Sequence, residues 1–413
     1  MTVGAPNQLP PRTPVPRHGF PNTVDTPMTS GPDIRPAISA LPASLIGVVA
    51  NYGRGRDGMI PLWFGEGDVP TPGFIMDAAY QAMREGHVFY TWQRGLPELR
   101  EALSTYHQRT YGVPVGVDRI TVTGSGMAAI ALSMQSLIDA GDEVVVVSPV
   151  WPNVFASIKI MGGVVRQVPL ALENGRWHLD LGRLFEACGP RTRMIFINSP
   201  CNPTGWTIGT EDQRRIMEFA RERGLWVMAD EVYSRLVFNA DRAPSFLDVS
   251  EPVDKLLVIN SFSKNWAMTG WRLGWVIAPA GMGPIFEKMT QFNTSGVAGF
   301  IQKAGLAALE QGEPFVAEMV ERCRTGRDIV CGALESLPRV RVQRPDAAFY
   351  AFFSVEGAGD SLELAKRIVD EALVGLAPGA AFGEGGEGYL RLCFASSPEC
   401  LTQAMDRLIP ILR

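Results

Sequence analysis

The stretch Val258-Ile-Asn-Ser-Phe-Ser-Lys264, continued by Asn-Trp-Ala-Met-Thr-Gly-Trp-Arg272, places two serines, a lysine and an arginine between two apolar runs. Continuous apolar runs of this length predict buried strands, here Leu256–Asn260 and Trp275–Ala278. A lysine at the end of a buried strand is poorly solvated, so its amine is more easily neutral and nucleophilic. Hydroxyls and a guanidinium beside it are suited to a phosphate group. The combination predicts a lysine that bonds to pyridoxal phosphate, and the alternative is a solvated surface turn.

The bulk composition narrows the class of protein. The chain has 413 residues, 46% of them apolar and 20% charged, with a formal net charge of −5. These values predict a soluble globular protein without the excess of positive charge that binding to nucleic acid requires. The six cysteines form no CxxC pair and do not cluster with the four histidines, which argues against a metal site or a disulfide framework. With no membrane-length apolar run and no signal-peptide core, we expect a cytoplasmic protein.

Strands and helices alternate through the first two thirds of the chain. Their order predicts an α/β protein whose large domain has three layers, with a mostly parallel sheet between helices. The strands predicted in addition to the two above are Arg119–Thr123, Val144–Val147, Val164–Val168, Met194–Asn198 and Leu225–Met228. Thr210 is predicted to cap a helix that Gly224 ends.

The two ends of the chain differ from this middle part. Residues 1–35 are rich in proline and predict an extended or disordered arm. After Pro284, helices at about 297–312 and 313–336 precede isolated short strands, which predicts a smaller α+β domain. We therefore expect a large cofactor-binding domain at 61–296 and a small domain made of 36–60, including a helix at 38–49, and 297–413.

A glycine-rich turn follows the strand that ends at Thr123. Gly124-Ser125-Gly126 precedes a helix, so its N–H groups predict an anion cradle. The same letters match a dinucleotide fingerprint, which requires an acidic residue at the end of the next strand, about 20 residues on. That strand ends at Ser148, and Glu143 stands at its start. The context therefore argues against a nucleotide-dependent dehydrogenase.

Other polar residues also follow predicted strands, where ligands bind in open parallel sheets. Asp230 either caps a helix or pairs with the protonated pyridine nitrogen of the cofactor. Asn202 and Tyr233 either belong to turns or donate hydrogen bonds to an oxygen of the cofactor. Trp151 is either core or a ring that stacks on the cofactor. Arg391 lies among apolar neighbours and needs an internal acid or a substrate carboxylate.

Taken together, these motifs resemble the class I and II aminotransferases of the aspartate aminotransferase fold, which are fold type I pyridoxal phosphate enzymes. The resemblance runs in register from about Gly65 to Arg391. It rests on Ser-Phe-Ser-Lys264 with Arg272, and on Asn202-Pro-Thr-Gly, Asp230-Glu-Val-Tyr233, Trp151-Pro-Asn, Tyr90 with Gly95, and Pro378-Gly-Ala-Ala-Phe-Gly383.

The resemblance implies a role for each matching residue. Lys264 would bond to the cofactor aldehyde and move protons, Asp230 would pair with the pyridine nitrogen, and Tyr233 and Asn202 with the ring oxygen. Trp151 would stack on the ring and also line the substrate pocket with Asn202. Tyr90 would contact the phosphate bound to the partner subunit, and Arg391 would bind the substrate carboxylate together with the Gly65 backbone. The residues that would hold the phosphate are Ser125, Gly126, Ser261, Ser263 and Arg272.

The implied reaction is transfer of an amino group between an L-amino acid and a 2-oxo acid, in a homodimer with shared active sites. The same residues would serve a C–S or β-lyase, a racemase or a decarboxylase, because the cofactor carries the chemistry. A non-enzymatic aminotransferase-like regulator is a further alternative, although the N-terminus offers no DNA-binding motif. No arginine lies between Met289 and Ala304, where the dicarboxylate-specific branch of the family carries a second clamp. The apolar stretch Leu41–Val49 favours an aliphatic or aromatic substrate.

Overall fold

The computed structural model describes residues 34–413. The predicted arm at 1–35 therefore lies almost entirely outside the described residues. Within them, no helix is long and apolar enough to cross a membrane.

A seven-stranded sheet forms the centre of the molecule. Six strands are parallel, and Gly274–Ile277 is antiparallel to both of its neighbours. Most of these strands are buried on both faces, as their continuous apolar runs predict. In spatial order the strands are Ile120–Thr123, Gly274–Ile277, Leu256–Ser261, Trp226–Asp230, Thr192–Asn198, Glu143–Ser148 and Val164–Pro169.

Helices cover this sheet, as the predicted three-layer arrangement requires. They alternate with the strands along the chain, so that successive parallel strands are joined by crossovers. The main helices of this part are Gly73–Arg84, Pro97–Tyr111, Gly126–Leu137, Asn153–Ile160, Leu181–Glu186, Thr210–Arg223, Gly283–Asn293 and Gly299–Gln311. This layered arrangement confirms the predicted α/β fold class.

A second, antiparallel sheet belongs to the C-terminal part. In spatial order its four strands are Val340–Val342, Tyr350–Val355, Tyr389–Cys393 and Ala377–Pro378. The helices around it are Leu45–Gly53, Glu313–Glu335, Ser361–Ala372 and Pro398–Leu412. Two small strand pairs complete the structure, Ile60–Pro61 with Val374–Gly375 and Ala171–Glu173 with Arg176–His178.

Two local predictions were wrong. The helix expected at 38–49 is two helices, Pro36–Ser39 and Leu45–Gly53, because Pro42 disfavours helical geometry in the residue before it and interrupts the backbone hydrogen bonds. Gly209, not Thr210, is the N-cap residue of Thr210–Arg223, and no side chain caps this end. Gly224 does end that helix, with a φ of 65° that glycine adopts without strain.

The division into two domains stays a prediction. Helix Leu45–Gly53 packs against Ser361–Ala372, in keeping with a small domain that takes in residues 36–60. Helix Gly299–Gln311, in contrast, packs against Gly73–Arg84 and Pro97–Tyr111 beside the large sheet. We therefore propose that the large domain extends through residue 311 instead of ending at 296.

Candidate active site

A cavity of about 230 Å³ opens where several strands of the large sheet reach their carboxyl ends. Parallel strands place the loops that follow them at one edge of the sheet, so residues far apart in sequence meet there. The sequence-predicted residues that line this cavity are Gly65, Gly126, Trp151, Asn202, Asp230, Tyr233, Ser261, Ser263, Lys264, Arg272 and Arg391.

Lys264 lies in the short helix Phe262–Asn265, directly after a strand of the large sheet. Its Nζ donates a hydrogen bond to the Gly65 carbonyl oxygen at 2.5 Å, and it lies 5.7 Å from the centre of the Tyr233 ring. Burial lowers the pKa of this amine from 10.5 to about 8, and the positive charge of Arg391 acts in the same direction. At pH 7 about a tenth of the amine is therefore neutral, far more than at the usual lysine pKa, and the neutral amine is the form that a nucleophile or base requires.

Asp230 is the last residue of strand Trp226–Asp230 and is buried. Burial raises the pKa of its carboxyl group from 3.8 to about 7, although a hydrogen bond from the Val232 N–H and the charge of Lys264 act against this rise. A buried carboxylate at a strand end requires a cationic or N–H partner. A protonated ring nitrogen in the cavity would supply one.

Tyr233 and Tyr350 form a buried pair of phenols. Their hydroxyl oxygens are 2.7 Å apart, and the two rings meet edge to face at 5.8 Å. Burial raises the pKa of both hydroxyls, so both are neutral at neutral pH. A Cβ atom on Gly65 would overlap the Tyr350 hydroxyl oxygen, so any larger residue beside the Lys264 amine would require the buried Tyr350 ring to shift.

Arg391 is buried in strand Tyr389–Cys393 and faces the cavity. Its Nη1 donates to Asn202 Oδ1 at 2.9 Å, and its Nη2 donates to the Trp63 carbonyl oxygen. The guanidinium carbon lies 4.6 Å from the centre of the Tyr350 ring. Within the described part of the chain, the Arg391 Nε has no hydrogen-bond partner. A buried guanidinium with an unused donor is suited to a carboxylate ligand.

Asn198 joins two of the strand ends that form the cavity. Its Nδ2 donates to the Asp230 carbonyl oxygen at 2.9 Å, and its Oδ1 accepts from the Asn202 N–H at 2.8 Å. These two bonds hold the turn that carries Asn202 against the strand that carries Asp230. The side chain of Asn202 is thereby kept within reach of Arg391.

Hydroxyl, N–H and guanidinium groups collect at the other end of the cavity. Ser261 Oγ accepts from the Ser263 N–H at 3.1 Å and lies 2.9 Å from Ser263 Oγ. Gly126 begins the helix Gly126–Leu137, and Arg272 donates to the Thr269 carbonyl oxygen at 2.6 Å. A helix N-terminus, two hydroxyls and an arginine form a suitable site for a phosphate dianion.

Close backbone packing maintains this phosphate-type site. A Cβ atom on Gly274 would lie 2.6 Å from the Gly126 nitrogen. Only glycine therefore allows the antiparallel strand Gly274–Ile277 to reach the start of helix Gly126–Leu137. The nucleophilic amine, the buried acid and this anion site together fit the reacting groups of pyridoxal phosphate.

Two predicted residues do not line the cavity. The Ser125 side chain accepts from the Ala128 N–H at 2.9 Å and so caps the following helix, although the residue adjoins the cavity through Gly126. Tyr90 is 93% exposed and lies outside the cavity of its own chain. Their assigned cofactor roles stay predictions.

Sequence reasoning missed several residues of the cavity wall. Tyr350 is the most consequential of them, and it is the first residue of strand Tyr350–Val355 in the smaller sheet. Nothing in the local sequence indicates that this strand begins beside the carboxyl ends of the large sheet. The other missed lining residues are Ile46, Phe64, Met127, Ile130, Asn198, Val232 and Thr269.

Glu143, the acidic residue weighed for a dinucleotide site, does not line the cavity. Glu143, at the start of its strand, accepts hydrogen bonds from Arg166 and Arg191, both at 2.9 Å. This buried carboxylate is therefore used in two ion pairs with half-exposed arginines rather than at the cavity. Among residues 34–413, no group of three or more His, Cys, Asp or Glu side chains could hold a metal ion.

Known proteins share both the sequence and this architecture. The family described as aminotransferase class I and II matches residues 59–408. Aspartate aminotransferase of Pyrococcus horikoshii is 35% identical over 353 residues, which are 85% of this chain and 90% of that protein. Aromatic-amino-acid aminotransferase 2 of Thermococcus litoralis is 33% identical over 369 residues, 87% of this chain and 93% of that protein.

A solved structure extends the likeness to three dimensions. The crystal structure of aspartate aminotransferase from Thermotoga maritima has a TM-score of 0.86 at 34% identity, covering 92% of this chain and 100% of that chain. The family match also removes the dehydrogenase alternative. The chain therefore belongs to the class I and II aminotransferases and is a pyridoxal phosphate-dependent aminotransferase.

Proposed function

We propose that the cavity around Lys264 moves an amino group from an L-amino acid to a 2-oxo acid in two half-reactions, with a distinct role for each lining residue. Pyridoxal phosphate supplies an aldehyde that accepts the amino group and a pyridine ring that takes up electrons from the substrate α-carbon. The observation that carries the proposal is a lysine with a pKa of about 8 in the same cavity as Asp230 and Arg391.

Lys264 would hold the cofactor covalently and, when released by the incoming amine, would act as the base at the substrate α-carbon. Its lowered pKa makes the neutral amine accessible at physiological pH. The Gly65 carbonyl, which accepts from Nζ at 2.5 Å, orients the amine toward the cavity.

Asp230, Tyr233 and Asn202 would set the electronic state of the cofactor ring. The Asp230 carboxylate would keep the ring nitrogen protonated, which makes the ring a stronger electron acceptor. Tyr233 and Asn202 would donate hydrogen bonds to the ring oxygen. Tyr350, whose hydroxyl lies 2.7 Å from that of Tyr233, would donate a hydrogen bond to the Tyr233 oxygen and so make Tyr233 a stronger donor.

The cofactor phosphate would lie between helix Gly126–Leu137 and the turn after strand Leu256–Ser261. Ser261, Ser263 and Arg272 supply side-chain donors there, and Ser125 adjoins through its backbone. Trp151, which lines the same cavity, would cover one face of the ring and the adjacent substrate.

Arg391 would bind the substrate carboxylate, with Asn202, Trp151 and the Gly65 backbone around it. Its side chain is held by Asn202 and Trp63 and packed against Tyr350, so little rotamer freedom is lost when a substrate binds. A pre-oriented guanidinium binds a planar carboxylate through two parallel hydrogen bonds.

We propose that the protein is a homodimer in which each subunit supplies Tyr90 to the phosphate of its partner's cavity. The support is an exposed apolar surface around Tyr90, since large contiguous apolar surfaces usually mark interfaces. Phe89 is 80% exposed, Tyr90 93% and Trp92 65%.

We also propose a reducing compartment such as the cytoplasm, which is supported by the six free cysteines of the structure.

A mixed dimer tests the shared site. Lys264→Ala and Tyr90→Ala subunits should each be weakly active alone, since every site of either homodimer lacks one residue. Co-expressed, they form heterodimers in which one of the two sites contains both Lys264 and Tyr90, so about half of wild-type activity per heterodimer should return. No recovery in purified heterodimers would refute the shared site.

The reaction itself is tested with single amino acids. Holoprotein mixed with an amino acid, in the absence of an oxo acid, should lose the visible absorbance of the lysine-bound cofactor and accumulate the amine form of the cofactor. Borohydride reduction followed by peptide mapping should place the cofactor on Lys264. Persistent labelling of another residue would overturn the assignment.

A further inference from the structure

We infer that Glu231 is a positioning residue, whose side chain holds the turn at 230–234 in place so that Asp230 and Tyr233 both meet the cofactor ring. The inference rests on the proposed function, because it assumes that Asp230 and Tyr233 contact that ring. It goes further by giving a task to a buried acid that does not line the cavity.

The turn at 230–234 has one side toward the cavity and one side away from it. Asp230, Val232 and Tyr233 line the cavity, whereas Glu231 and Ser234 do not. Both Glu231 and Ser234 are nonetheless buried. Buried polar side chains require hydrogen-bond partners, so these two must find theirs in the protein on the far side of the turn.

The Glu231 carboxyl group is bound by the segment that begins the short helix Phe246–Asp248. Its Oε2 accepts from the Ser245 hydroxyl at 2.7 Å, and its Oε1 accepts from the Phe246 N–H at 2.9 Å. The Ser245 side chain also caps this helix, because its oxygen accepts from the Leu247 N–H at 3.2 Å. Both carboxyl oxygens of Glu231 therefore connect the turn to one capped helix terminus.

The backbone of Glu231 connects the same turn to the large sheet. Its N–H donates to the Ile259 carbonyl at 2.9 Å, and its carbonyl accepts from the Ser234 N–H at 3.0 Å. Ser234 in turn has its hydroxyl 2.6 Å from that of Tyr111, and its carbonyl accepts from the Ala243 N–H at 2.8 Å. The turn is thus fixed both to the sheet and to the loop that precedes helix Phe246–Asp248.

The two proposed cofactor residues lie on either side of Glu231 in the chain. Asp230 precedes it directly, and Tyr233 follows two positions later. A rotation of the backbone at Glu231 would therefore displace the Asp230 carboxyl and the Tyr233 hydroxyl together, and hydrogen bonds weaken steeply with such displacements. Arg391 is carried by strand Tyr389–Cys393 of the smaller sheet, so the proposed carboxylate site has separate support.

Glu231 acts through its hydrogen bonds and not through its charge. Burial raises the pKa of its carboxyl group from 4.5 to about 8, although the hydrogen bonds from Ser245 and Phe246 act against this rise. The group is therefore mainly neutral at pH 7. Glutamine is also neutral, and its oxygen can accept from the Phe246 N–H while its amide donates to the Ser245 oxygen, as the proton of the neutral acid would. Glu231→Gln should retain what Glu231→Ala loses.

The test compares Glu231→Ala, Glu231→Gln and a control, Asp254→Ala, as holoproteins. Asp254 is also a buried acid and accepts from Arg221 Nε at 2.9 Å and from the Glu251 N–H at 2.7 Å. It does not line the cavity, and it precedes the start of strand Leu256–Ser261. Its replacement therefore removes comparable hydrogen bonds away from the proposed cofactor.

Three quantities are measured, together with thermal unfolding. The first is the maximal rate of cofactor conversion with aspartate, alanine, leucine or phenylalanine, whichever is fastest for the wild type. The second is the spectroscopic pKa of the visible absorbance. The third is the affinity for 3-phenylpropionate and succinate, which are carboxylic acids without an amino group.

Glu231→Ala should lower the maximal rate about 10–100-fold, the cost typical of losing a group that orients a site residue. The spectroscopic pKa should rise toward that of Tyr233→Phe, because negative charge on the ring oxygen is then less stabilised. Affinity for the two carboxylic acids should change less than about twofold, since Arg391 lies on another element. Glu231→Gln should stay close to wild type, and Asp254→Ala should unfold at a lower temperature with an unchanged spectroscopic pKa.

The outcomes that overturn the inference are distinct from those that overturn the proposed function. Glu231→Ala with a lower unfolding temperature but wild-type rate and spectroscopic pKa would make Glu231 merely structural, and would leave the proposed function standing. An equal shift of the spectroscopic pKa in Asp254→Ala, or a Glu231→Gln variant as impaired as Glu231→Ala, would also refute the positioning role. Absence of conversion by the wild type with every amino acid would overturn the proposed function and the inference with it.

A second variant covers the case in which Glu231→Ala fails to fold. Ser245→Ala removes only the hydroxyl that binds Glu231 Oε2 and caps helix Phe246–Asp248. It should lower the rate and raise the spectroscopic pKa in the same directions, by less than the loss of the whole carboxyl group. Wild-type values of both in Ser245→Ala would then refute the inference.

Discussion

Replacing Tyr350 with phenylalanine removes one hydroxyl group and changes the proposed cofactor site through a single hydrogen bond. The Tyr350 and Tyr233 hydroxyls are 2.7 Å apart and both are buried. Burial raises the pKa of both, while the hydrogen bond between them lowers the pKa of Tyr233 and raises that of Tyr350. Either hydroxyl could donate in this pair. We assign Tyr350 as the donor because Tyr233 then keeps its own proton for the proposed cofactor oxygen.

The direction of the effect follows from that assignment. With Tyr350 as donor, the Tyr233 proton is free to point toward the cofactor ring oxygen, and Tyr233 is a stronger donor because its own oxygen is hydrogen-bonded. In Tyr350→Phe this support is lost, so negative charge on the ring oxygen is less stabilised. The proton at the nitrogen joining Lys264 to the cofactor should then be held more tightly, and its spectroscopic pKa should rise.

A neutral hydrogen bond contributes about 0.5–1.5 kcal/mol. Only the part of this energy that differs between the two protonation states shifts a pKa. At about 1.36 kcal/mol per pKa unit, the loss should raise the spectroscopic pKa by at most about 0.4–1.1. The measurement is a pH titration of the visible absorption of the holoprotein. Tyr233→Phe serves as the reference, because it removes the direct donor and should produce a larger rise.

A merely structural role of Tyr350 predicts a different result. In that case thermal unfolding would shift while the spectroscopic pKa stayed at the wild-type value. A fall in the pKa of Tyr350→Phe would show that Tyr233 donates to Tyr350, and would refute the assignment of Tyr350 as donor. An unchanged affinity for the substrate carboxylate would separate the effect from any disturbance of Arg391, whose guanidinium carbon lies 4.6 Å from the Tyr350 ring centre.

Three further predictions concern single groups of the cavity. Arg391→Lys should lower kcat/KM about 10–100-fold, because an ammonium group replaces a planar fork and one charge-assisted hydrogen bond of about 1.5–3 kcal/mol is lost; steady-state kinetics measure this, and a change below twofold contradicts the carboxylate assignment. In cofactor-free protein, the pKa of Asp230 is raised from 3.8 to about 7 in the folded state. Its contribution to the free energy of unfolding is therefore complete below pH 3.8 and is lost as the pH rises through 7. Asp230→Asn should therefore gain stability relative to wild type between pH 5 and pH 8 in denaturant titrations, and a pH-independent difference would count against burial as the cause. Capture of pyridoxal phosphate by cofactor-free protein should accelerate with pH and level off above about 8, the pKa of Lys264; acceleration that continues to pH 10.5 in stopped-flow traces would show an unperturbed amine.

The predicted strands were recovered because their signal is local. Runs such as Val144–Val147 are continuous and β-branched, and a strand buried on both faces requires that composition. The observed strand Glu143–Ser148 extends the predicted one by a single residue at each end. The Thr210 cap was wrong for a related reason, since helix ends depend on backbone angles that residue type only weakly specifies.

Most of the cavity was predictable because parallel strands bring their carboxyl ends together. Asn202 and Lys264 follow strands of the large sheet and Asp230 ends one, so their meeting follows from the fold class. Their chemical roles stay predictions, because lining a cavity does not establish what a residue does there. The pKa values of Asp230 and Lys264 depend on burial, which the sequence only suggests.

The chain's own residue order determined the alternation of strands and helices, the lysine motif and hence the family to which the protein belongs. Only the tertiary structure placed Tyr350 against Tyr233 and Arg391 against Asn202. These contacts join residues separated by more than a hundred positions, and no local periodicity records such a pairing. Their geometry is decided by the packing of the smaller sheet and its helices against the large one.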